Sequence, residues 1–582
     1  MKFSPLAVME TYVSKVETHA VTLADFTPGL HCTPHVFFKL EADGSVPWVV
    51  DRVCDHAGGT LRFSDSDPCT AVCPLQKWEF DFNTLSYSKI PNQTFEHISK
   101  KSIPHTIENG VLSYAIDQRS LRVPLDIPVN AVHKAQVQLR FITHASVMFE
   151  IDGVKLLTDP WFVGECLAGG WWLKHPPKAD AWKLLEAADI LYISHNHPDH
   201  LHAETLARAR RDLTIIVPAF DTGSVAKPLR DMGFTNVVEL ETKRLYCVND
   251  SELLLSILPT GDHREDSALF ITKGDFSTVL TVDCVGANQY VLPKDLTLLL
   301  SNFAGGASGW PLCYDVVGSM DVRAKIVTKG RGNTLLEVMK YVAATRPKTY
   351  MPYAGYFNES APRDHVIEHY NIKNTPQFVL DKVKAKFPDV LGVNPLVHDV
   401  VTWKDGEVTL STVDQPPLFT YDAALIEGYL TKQRALLKHY DIHKVADYFC
   451  QAEFEDNLIV YLVMTDDDYA PQGQGLRIDF SALPIRYDVV DGAALFAQFE
   501  ALAELGAFHH MLLKVRTDSM WKIVYYGRPL EELSLGFQCR IDRKPDQYNA
   551  AFWKHYTTLD VPMLRRGEDH LLYKLLDGAD SV

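Results

Sequence analysis

The sequence predicts an α+β protein of several domains. Three observations lead to this prediction: the length of the chain, a change near residue 136 from closely spaced strands to alternating strands and helices, and a cluster of histidines after an apolar strand. At 582 residues the chain is too long for one hydrophobic core, because single cores stop growing beyond about 250–300 residues. We predict an all-β module in residues 1–135, a central αββα domain in residues 136–400 and an α+β region in residues 401–582.

Short apolar runs define the predicted elements. Residues 35–99 alternate runs such as HVFFKL and KWEFDF with clusters of Asp, Gly, Ser and Pro, which is typical of a small all-β module. From Gln136 onward, strands such as ILYIS and STVLTVDC alternate with amphipathic stretches such as AWKLLEAAD, as in an α/β layered domain. After residue 400, strands such as NLIVYLVM mix with helices such as AALFAQFEALAEL, without a cluster of metal-ligand residues.

The composition argues against several classes of partner. With 57 basic and 74 acidic residues the net charge is −17, which opposes attraction to nucleic acid or to an anionic membrane surface. The N-terminal segment lacks the apolar stretch of a signal peptide, and no apolar run reaches the roughly 18 residues of a membrane span. We therefore expect a cytoplasmic protein that binds neither nucleic acid nor membrane. Ten cysteines are sparse for a disulfide scaffold, so clustered ones indicate metal binding or catalysis.

A dense group of metal-ligand side chains follows the strand ILYIS. The segment SHNHPDH provides three imidazoles and a carboxylate, and a turn after a buried strand can direct all of them inward. Imidazole suits zinc or iron and carboxylate suits harder ions, so the mixed set indicates a catalytic metal site. The HxHxDH spacing resembles that of metallo-β-lactamase-like domains. The predicted ligands are His195, His197, Asp199 and His200.

A site for two metal ions needs further ligands from neighbouring strands. His263 follows one apolar strand, and Asp283 ends the next. An aspartate in such a position can bridge two metal ions about 3.5–4 Å apart. Glu265 and Asp266 lie beside His263, and either could serve as a ligand or as an acid or base. Our candidates for acid–base work are Asp199 and Glu265.

The N-terminal cysteine cluster resembles the ligand loops of the Rieske fold. That fold holds a [2Fe–2S] cluster with two Cys on one iron and two His on the other, in loops that read Cys-x-His and Cys-x-x-His. Cys54 and His56 preserve the first loop, but in the second Cys73 is followed by Gln76 where the fold has histidine. Three interpretations remain open: Cys69 replaces the missing ligand, Gln76 or water holds the cluster weakly, or the module carries no cluster.

The two modules in this order resemble one family, the CMP-N-acetylneuraminic acid hydroxylases. The similarity extends over most of the chain, through segments such as THASVMFEIDGVKLLTDPWF, SNFAGGASGWP, MPYAGYFNES and SLGFQCRIDRKPDQYNAAFW. It implies oxygen-dependent hydroxylation of a small molecule, with iron in the His/Asp site. It also implies electrons that pass through the [2Fe–2S] cluster from a cytochrome b5 and its reductase, or from a ferredoxin. The residues in the family's motif positions are His144, a further catalytic candidate, and Asp159, His195, His197, Asp199, His200, His263 and Asp283.

Two departures from the family pattern keep other functions open. Gln76 interrupts the electron path, and the chain reads MPYAGYF where many metallo-β-lactamase folds carry a last histidine. His365 lies near that segment, while Tyr353, Tyr356 and Glu359 either support the site or pack in the core. The first alternative is a monooxygenase acting on a nucleotide sugar or another small metabolite. The second is a zinc hydrolase that activates a bound water, and the third is a noncatalytic scaffold, against which the complete HxHxDH set argues.

Overall fold

The structure is a computed structural model of the chain. Cys54, His56, Gln76 and His263 lie outside the residues that it describes. The described residues are 1–53, 60–64, 66–73, 78–89, 99–124, 133–262, 264–397, 399–503, 506 and 508–557.

The chain divides into two compact units. The small unit consists of Glu10–Pro124 and Gln547–Phe552. The large unit consists of Met1–Met9, Leu125–Asp546 and Trp553–Val582. The HxHxDH segment and Asp283 belong to the large unit, and the cysteine cluster belongs to the small one.

The small unit is built from antiparallel strands, and its described residues add the 3₁₀ turn Leu23–Asp25 and the first residues of helix Ala550–Thr557. Phe37 and Phe38 are adjacent in strand Val36–Leu40 but pack in two different hydrophobic clusters, because successive side chains of a strand point to opposite faces. In spatial order, its three sheets contain His105–Glu108, Val111–Pro124 and Glu10–Thr22; Gly29–Cys32, Val36–Leu40 and Val49–Asp51; and Arg62–Phe63, Thr70–Val72, Glu79–Asp81 and Ser86–Lys89.

Two eight-stranded sheets share one core in the large unit. The first sheet has the order Phe3–Val8, Arg244–Val248, Leu254–Pro259, Ser267–Lys273, Phe276–Leu280, Leu298–Ser301, Thr349–Pro352, Leu391–Gly392. The second has the order Val237–Leu240, Thr214–Pro218, Ile190–Tyr192, Val154–Thr158, Ser146–Ile151, Val137–Thr143, Val400–Lys404, Glu407–Ser411. A small third sheet contains Glu165–Cys166, Trp171–Leu173 and Phe357–Asn358.

Helices cover the sheets, which gives the layered arrangement predicted from the sequence. In strand Ile190–Tyr192, Ile190 faces the core between the sheets, whereas Leu191 packs in a second cluster with Leu185 from a neighbouring helix. The strand is therefore buried on both faces, as its uninterrupted apolar sequence predicts. The helices of this part are Ala181–Ala187, Ala203–Ala207, Ala226–Asp231, Met320–Thr345, His365–Tyr370 and Pro376–Lys386, with 3₁₀ turns at Ala287–Tyr290, Asp315–Val317 and Pro362–Asp364.

The C-terminal region has a five-stranded sheet of its own, with the order Arg486–Asp491, Gln474–Asp479, Leu458–Thr465, His509–Arg516, Cys539–Lys544. Its helices are Ala423–Ala435, Ile442–Cys450, Gly492–Glu500, Thr517–Tyr526, Glu531–Leu535 and Ala550–Thr557, with a 3₁₀ turn at Leu436–His439. The predicted α+β class with a layered central domain is thus confirmed. In the part of the chain that the structure describes, no helix has both the length and the apolar character needed to cross a bilayer.

Candidate metal centre

The HxHxDH segment forms a turn directly after strand Ile190–Tyr192. The backbone N–H of His200 donates to the carbonyl of His197 at 3.0 Å, which curls the segment and brings its side chains to one side. Ser267 Oγ donates to the carbonyl of Ser194 at 2.7 Å, so the turn is tied to the neighbouring sheet. The four predicted ligands are buried or half-buried there.

Carboxylates from the first sheet join these histidines. Possible ligand atoms lie within 4.8 Å of one another in three groups of described residues. Because the groups share histidines, they form one continuous cluster with room for more than one ion, as in two-metal enzymes. The groups are His195, His197 and Asp266; His195, His200 and Asp283; and His144, Asp199 and His200.

The first group holds His195 in the tautomer that a metal ligand needs. His195 Nε2 lies 2.8 Å from His197 Nδ1 and 3.8 Å from Asp266 Oδ1. The Ser194 hydroxyl donates to Asp159 Oδ2 at 2.8 Å, so its oxygen accepts from His195 Nδ1–H at 3.0 Å. With the proton on Nδ1, the Nε2 lone pair of His195 points at the other two donors.

The second group is built around His200. Its Nε2 faces Asp199 Oδ2 at 3.2 Å and Asp283 Oδ2 at 3.5 Å but makes no hydrogen bond. Asp159 accepts from Nδ1–H of the same ring at 3.1 Å, the carboxylate–histidine contact that orients metal ligands. A fully buried nitrogen that faces two carboxylates without a hydrogen bond is well placed to share a cation with them.

The pKa values show that the pocket favours a positive charge. Burial lowers the pKa of a histidine, yet the surrounding carboxylates raise the pKa of His200 well above its usual value. Burial would raise the pKa of Asp283, but the neighbouring histidines hold it below its usual range. For His195, burial and the other two imidazoles lower the pKa well below its usual value, which keeps its ring neutral. These donors therefore fit a divalent cation of the zinc or iron type.

Backbone strain is concentrated at this site. His144, Asp159 and Val282 have φ values of +43°, +36° and +50°, and a positive φ is a genuine outlier for a β-branched residue such as valine. Such strain persists where the surrounding structure enforces it and is common at functional sites. Here the strained residues are His144, which is a predicted catalytic residue, Asp159, whose carboxylate orients His200, and Val282, which precedes Asp283.

His144, a predicted catalytic residue, lies against Asp199. The backbone N–H of Tyr356 donates to His144 Nδ1 at 3.2 Å, so the proton of the neutral ring is on Nε2. This Nε2–H donates to Asp199 Oδ2 at 3.1 Å. In this arrangement His144 serves as a hydrogen-bond donor at the edge of the metal centre rather than as a ligand.

The two acids beside His263 are separated by the fold. Glu265 Oε2 accepts from the hydroxyls of Thr222 and Ser224, both at 2.6 Å, and is not part of the three donor groups. Asp266 is 2% exposed, and its Oδ2 lies 3.2 Å from Arg264 Nη2. The structure thus brings Asp266, not Glu265, to the histidines.

A carboxylate from the C-terminal region also reaches the metal centre. Glu531 begins the helix Glu531–Leu535, and its Oε2 lies 3.8 Å from His197 Nε2. Burial alone would lower the pKa of His197, but the Glu531 carboxylate raises it to about 9. Because His197 presents Nδ1 to His195, Glu531 holds the opposite nitrogen, as an orienting carboxylate does. No sequence motif could have revealed this residue, since it lies far from the HxHxDH segment.

Replacement of Glu531 with glutamine is expected to weaken metal binding about 10–100-fold, the usual effect of removing a carboxylate that orients a ligand. The measurement is competition for the metal with a chelator of known affinity. Glu186→Gln is the matched control, because Glu186 is exposed on helix Ala181–Ala187. Equal metal affinity of the Glu531→Gln and Glu186→Gln variants would exclude this role.

The described cysteines of the predicted Rieske-like loops lie at opposite ends of strand Thr70–Val72. Cys69 is exposed and precedes the strand, while Cys73 is buried and follows it. An extended segment advances about 3.3 Å per residue, so the two Cα atoms are about 13 Å apart. Cys73 packs in a cluster that includes Phe80 and Trp78. Cys54, His56 and Gln76 lie outside the described residues.

The remaining candidates of the late strand do not join the three donor groups. The Tyr353 hydroxyl donates to the carbonyl of Ala145 at 2.6 Å in the core. Glu359 is buried in an ion pair with Lys373 at 2.7 Å. His365 is exposed at the start of helix His365–Tyr370.

The fold and the cluster together define a metallo-β-lactamase-like metal-binding domain. Residues 138–256 match the family model described as "Beta-lactamase superfamily domain". In structure, the chain is similar to CmlA, a diiron beta-hydroxylase from Streptomyces venezuelae, at 18% identity over 46% of this chain and 54% of that chain, with a TM-score of 0.31.

The curated relatives confirm the predicted resemblance to the CMP-N-acetylneuraminic acid hydroxylases. The protein of that name from Danio rerio is 27% identical over 544 residues, which are 89% of this chain and 88% of the relative. The one from Macaca mulatta is 29% identical over 542 residues, 87% of this chain and 86% of the relative. The similarity therefore includes the small unit and the C-terminal region as well as the metal centre, and it agrees with an enzyme of the oxidoreductase class.

Proposed function

We propose that the chain is an iron-dependent monooxygenase that hydroxylates a nucleotide sugar of the CMP-N-acetylneuraminate type. The observation that carries the proposal is the continuous cluster of four histidines and three carboxylates around His200 and Asp283, in a chain similar to hydroxylases over most of its length. Mixed imidazole and carboxylate ligands suit iron. Iron bound there would supply the activation of O₂.

The residues of the chain have separate tasks in this proposal. His195, His197 and Asp266 would hold one ion, and Asp199 and His200 would hold the other. Asp283 would be shared by both, because it groups with His195 as well as with His200. His144 donates its Nε2–H to Asp199 and so positions that carboxylate at the edge of the centre. The helix that begins at Glu531 contacts His197 and so helps to exclude water from that side of the centre. The overall reaction consumes O₂, two electrons and two protons, inserts one oxygen atom into a C–H bond and releases the other as water.

The two electrons need a source, and we propose a [2Fe–2S] cluster in the small unit. Cys54, His56 and Cys73 would be three of its ligands, with Gln76 or water as the fourth. We do not include Cys69, because the strand between it and Cys73 separates the two thiols. A soluble electron carrier such as cytochrome b5 or a ferredoxin would reduce the cluster, which passes on one electron at a time.

A zinc hydrolase is the second candidate, and Gln76 favours it because a hydrolase needs no electrons. The donor groups fit zinc as well as iron. In that case Asp266 and Asp283 would keep the same positions, and zinc held there would supply the activation of a water molecule for hydrolysis. The two candidates differ in metal content, sulfide content and dependence on O₂.

Metal and sulfide analysis of the purified protein separates these candidates. We expect about two irons per chain at the His/Asp site, and about two more irons with two acid-labile sulfides in the small unit. With a reductant and a CMP-sugar, the product should gain one oxygen atom from ¹⁸O₂. Zinc without sulfide, together with hydrolysis that is independent of O₂, would contradict the monooxygenase.

Two variants assign the iron to its two sites. Cys54→Ser should remove the sulfide and its iron and leave the His/Asp iron in place. Cys69→Ser is the matched control and should leave both iron pools and the electron paramagnetic resonance spectrum unchanged. Loss of sulfide in the Cys69→Ser variant would contradict the proposed ligand set.

A further inference from the structure

A cavity of about 360 Å³ lies beside Tyr356 in the large unit. This volume is in the range of small-molecule sites. Two chains of contacts through Tyr356 connect the cavity to the metal centre. The Tyr356 backbone bonds to His144, which bonds to Asp199. The Tyr356 ring also contacts Phe303 at a centroid distance of 5.0 Å, and the preceding Asn302 donates to Asp283 Oδ1 at 3.1 Å.

The charge of the cavity is opposite to that of the chain. Lys174, His175 and Lys178 line it, and no carboxylate is among its described lining residues. The whole protein carries a net charge of −17, whereas the described lining of the cavity has two lysines and no acid. The local charge therefore has the opposite sign to the net charge of the protein. Lys174 also contributes to the lowered pKa of His175, after burial as the main cause, which shows that positive charges gather here. Such a lining favours an anionic ligand.

Tyr356 is a buried aromatic residue of the cavity lining. Tyr356 is 5% exposed, and its hydroxyl has no hydrogen-bond partner among the described residues. The ring is held between Phe141 and His175, at centroid distances of 5.2 Å and 5.7 Å. A buried hydroxyl normally finds a partner, because leaving it without one costs free energy. The hydroxyl oxygen is itself enclosed by the protein, so a ligand in the cavity meets the ring of Tyr356 and not its hydroxyl.

The rest of the lining is apolar. Phe141, Pro395 and Leu396 provide a surface on which a flat ring can lie, while the polar lining includes Lys174 and Lys178. Ligand sites commonly combine an apolar surface with a few convergent polar groups in this way. A ligand with one anionic group and one planar, weakly polar group matches both parts.

We propose that this cavity binds the phosphate-bearing part of a nucleotide. Lys174 and Lys178 pair with the phosphate, and the base lies on the apolar surface. The choice of a nucleotide rests on the function proposed above, whereas the preference for an anion rests on the lining residues alone. The cavity would thereby hold one end of the substrate beside the metal centre.

The test is calorimetric binding of CMP, cytidine and inorganic phosphate to the full-length protein. We expect CMP to bind more tightly than cytidine. The Lys174→Ala and Lys178→Ala variants should each weaken CMP binding about tenfold, the loss typical of a hydrogen bond to a charged group, whereas Tyr356→Phe should leave it unchanged because the hydroxyl is enclosed. Lys183→Ala is the matched control, since Lys183 is exposed on a neighbouring helix and should leave CMP binding unchanged. Metal content, measured on the same samples, checks that each variant is intact.

The outcomes separate this proposal from the proposed function. If CMP binds through the two lysines but no hydroxylation is found, the cavity assignment holds and the monooxygenase fails. If hydroxylation occurs while the Lys174→Ala and Lys178→Ala variants keep the CMP affinity and the KM of the unchanged protein, the cavity assignment fails. Equal binding of cytidine and CMP would also overturn it.

Discussion

Replacement of Asp283 with alanine should reduce the metal content from about two ions to about one per chain. Asp283 lies between the two halves of the centre: its carboxylate is 3.5 Å from His200 Nε2, and His195 belongs to the same donor group. Removing a shared ligand affects both ions. Because a bound metal ion supplies several kcal/mol of stabilisation to the reaction, we expect kcat/KM to fall about 10³-fold.

Metal analysis and steady-state kinetics on the same preparations measure this effect. Asp221→Ala is the matched control, because Asp221 is exposed and lies outside the three donor groups. That variant should keep both ions and full activity. An Asp283→Ala variant that retains both ions would show that Asp283 does not bridge them.

Replacement of Gly170 with alanine should destabilise the protein by about 3 kcal/mol, the upper range for overpacking. A Cβ atom at Gly170 would lie 2.0 Å from the carbonyl oxygen of Gly536 and 2.6 Å from its carbonyl carbon. These are backbone atoms, so relief requires movement of the segment rather than of a side chain. That segment directly follows helix Glu531–Leu535, and the Trp171 indole N–H donates to the carbonyl of Leu535 at 3.0 Å.

The measurement is chemical denaturation followed by tryptophan fluorescence. Gly428→Ala is the matched control: Gly428 lies inside helix Ala423–Ala435, and a Cβ atom there would meet nothing within 4 Å. Alanine should stabilise that helix by about 0.5–1 kcal/mol. A Gly170→Ala variant as stable as the Gly428→Ala variant would disprove the close packing of the two backbones.

The sequence predicted those parts of the centre that depend on local order. The HxHxDH residues follow one strand and are brought together by one turn, so their spacing in the sequence is enough to predict that their side chains lie close together. Asp283 could be predicted for a similar reason, because it lies shortly after the end of the apolar strand Phe276–Leu280 in the same domain. These five residues all appear in the donor groups of the structure.

Other parts of the centre depend on tertiary contacts that spacing does not encode. Glu265 and Asp266 are adjacent and chemically alike, and only the position of the loop beside Thr222 decides which one faces His195. Glu531 comes from another region of the chain, where no cluster of ligand residues is visible in the sequence. One interpretation of Tyr356 from the sequence was core packing, and the ring contacts agree with it. The missing hydrogen-bond partner of the hydroxyl among the described residues could not be predicted, because hydrogen-bond partners depend on tertiary packing and not on the sequence pattern.

The contact between Glu531 and His197 should couple the affinity for the metal ion to the stability of the packing of helix Glu531–Leu535 against the metal centre. By thermodynamic linkage, an ion that binds more tightly when Glu531 is in place must, to the same extent, hold Glu531 in place. Chelation should therefore increase amide hydrogen exchange in helix Glu531–Leu535. A cell short of the metal would then hold a protein with a loosened C-terminal region as well as an idle centre.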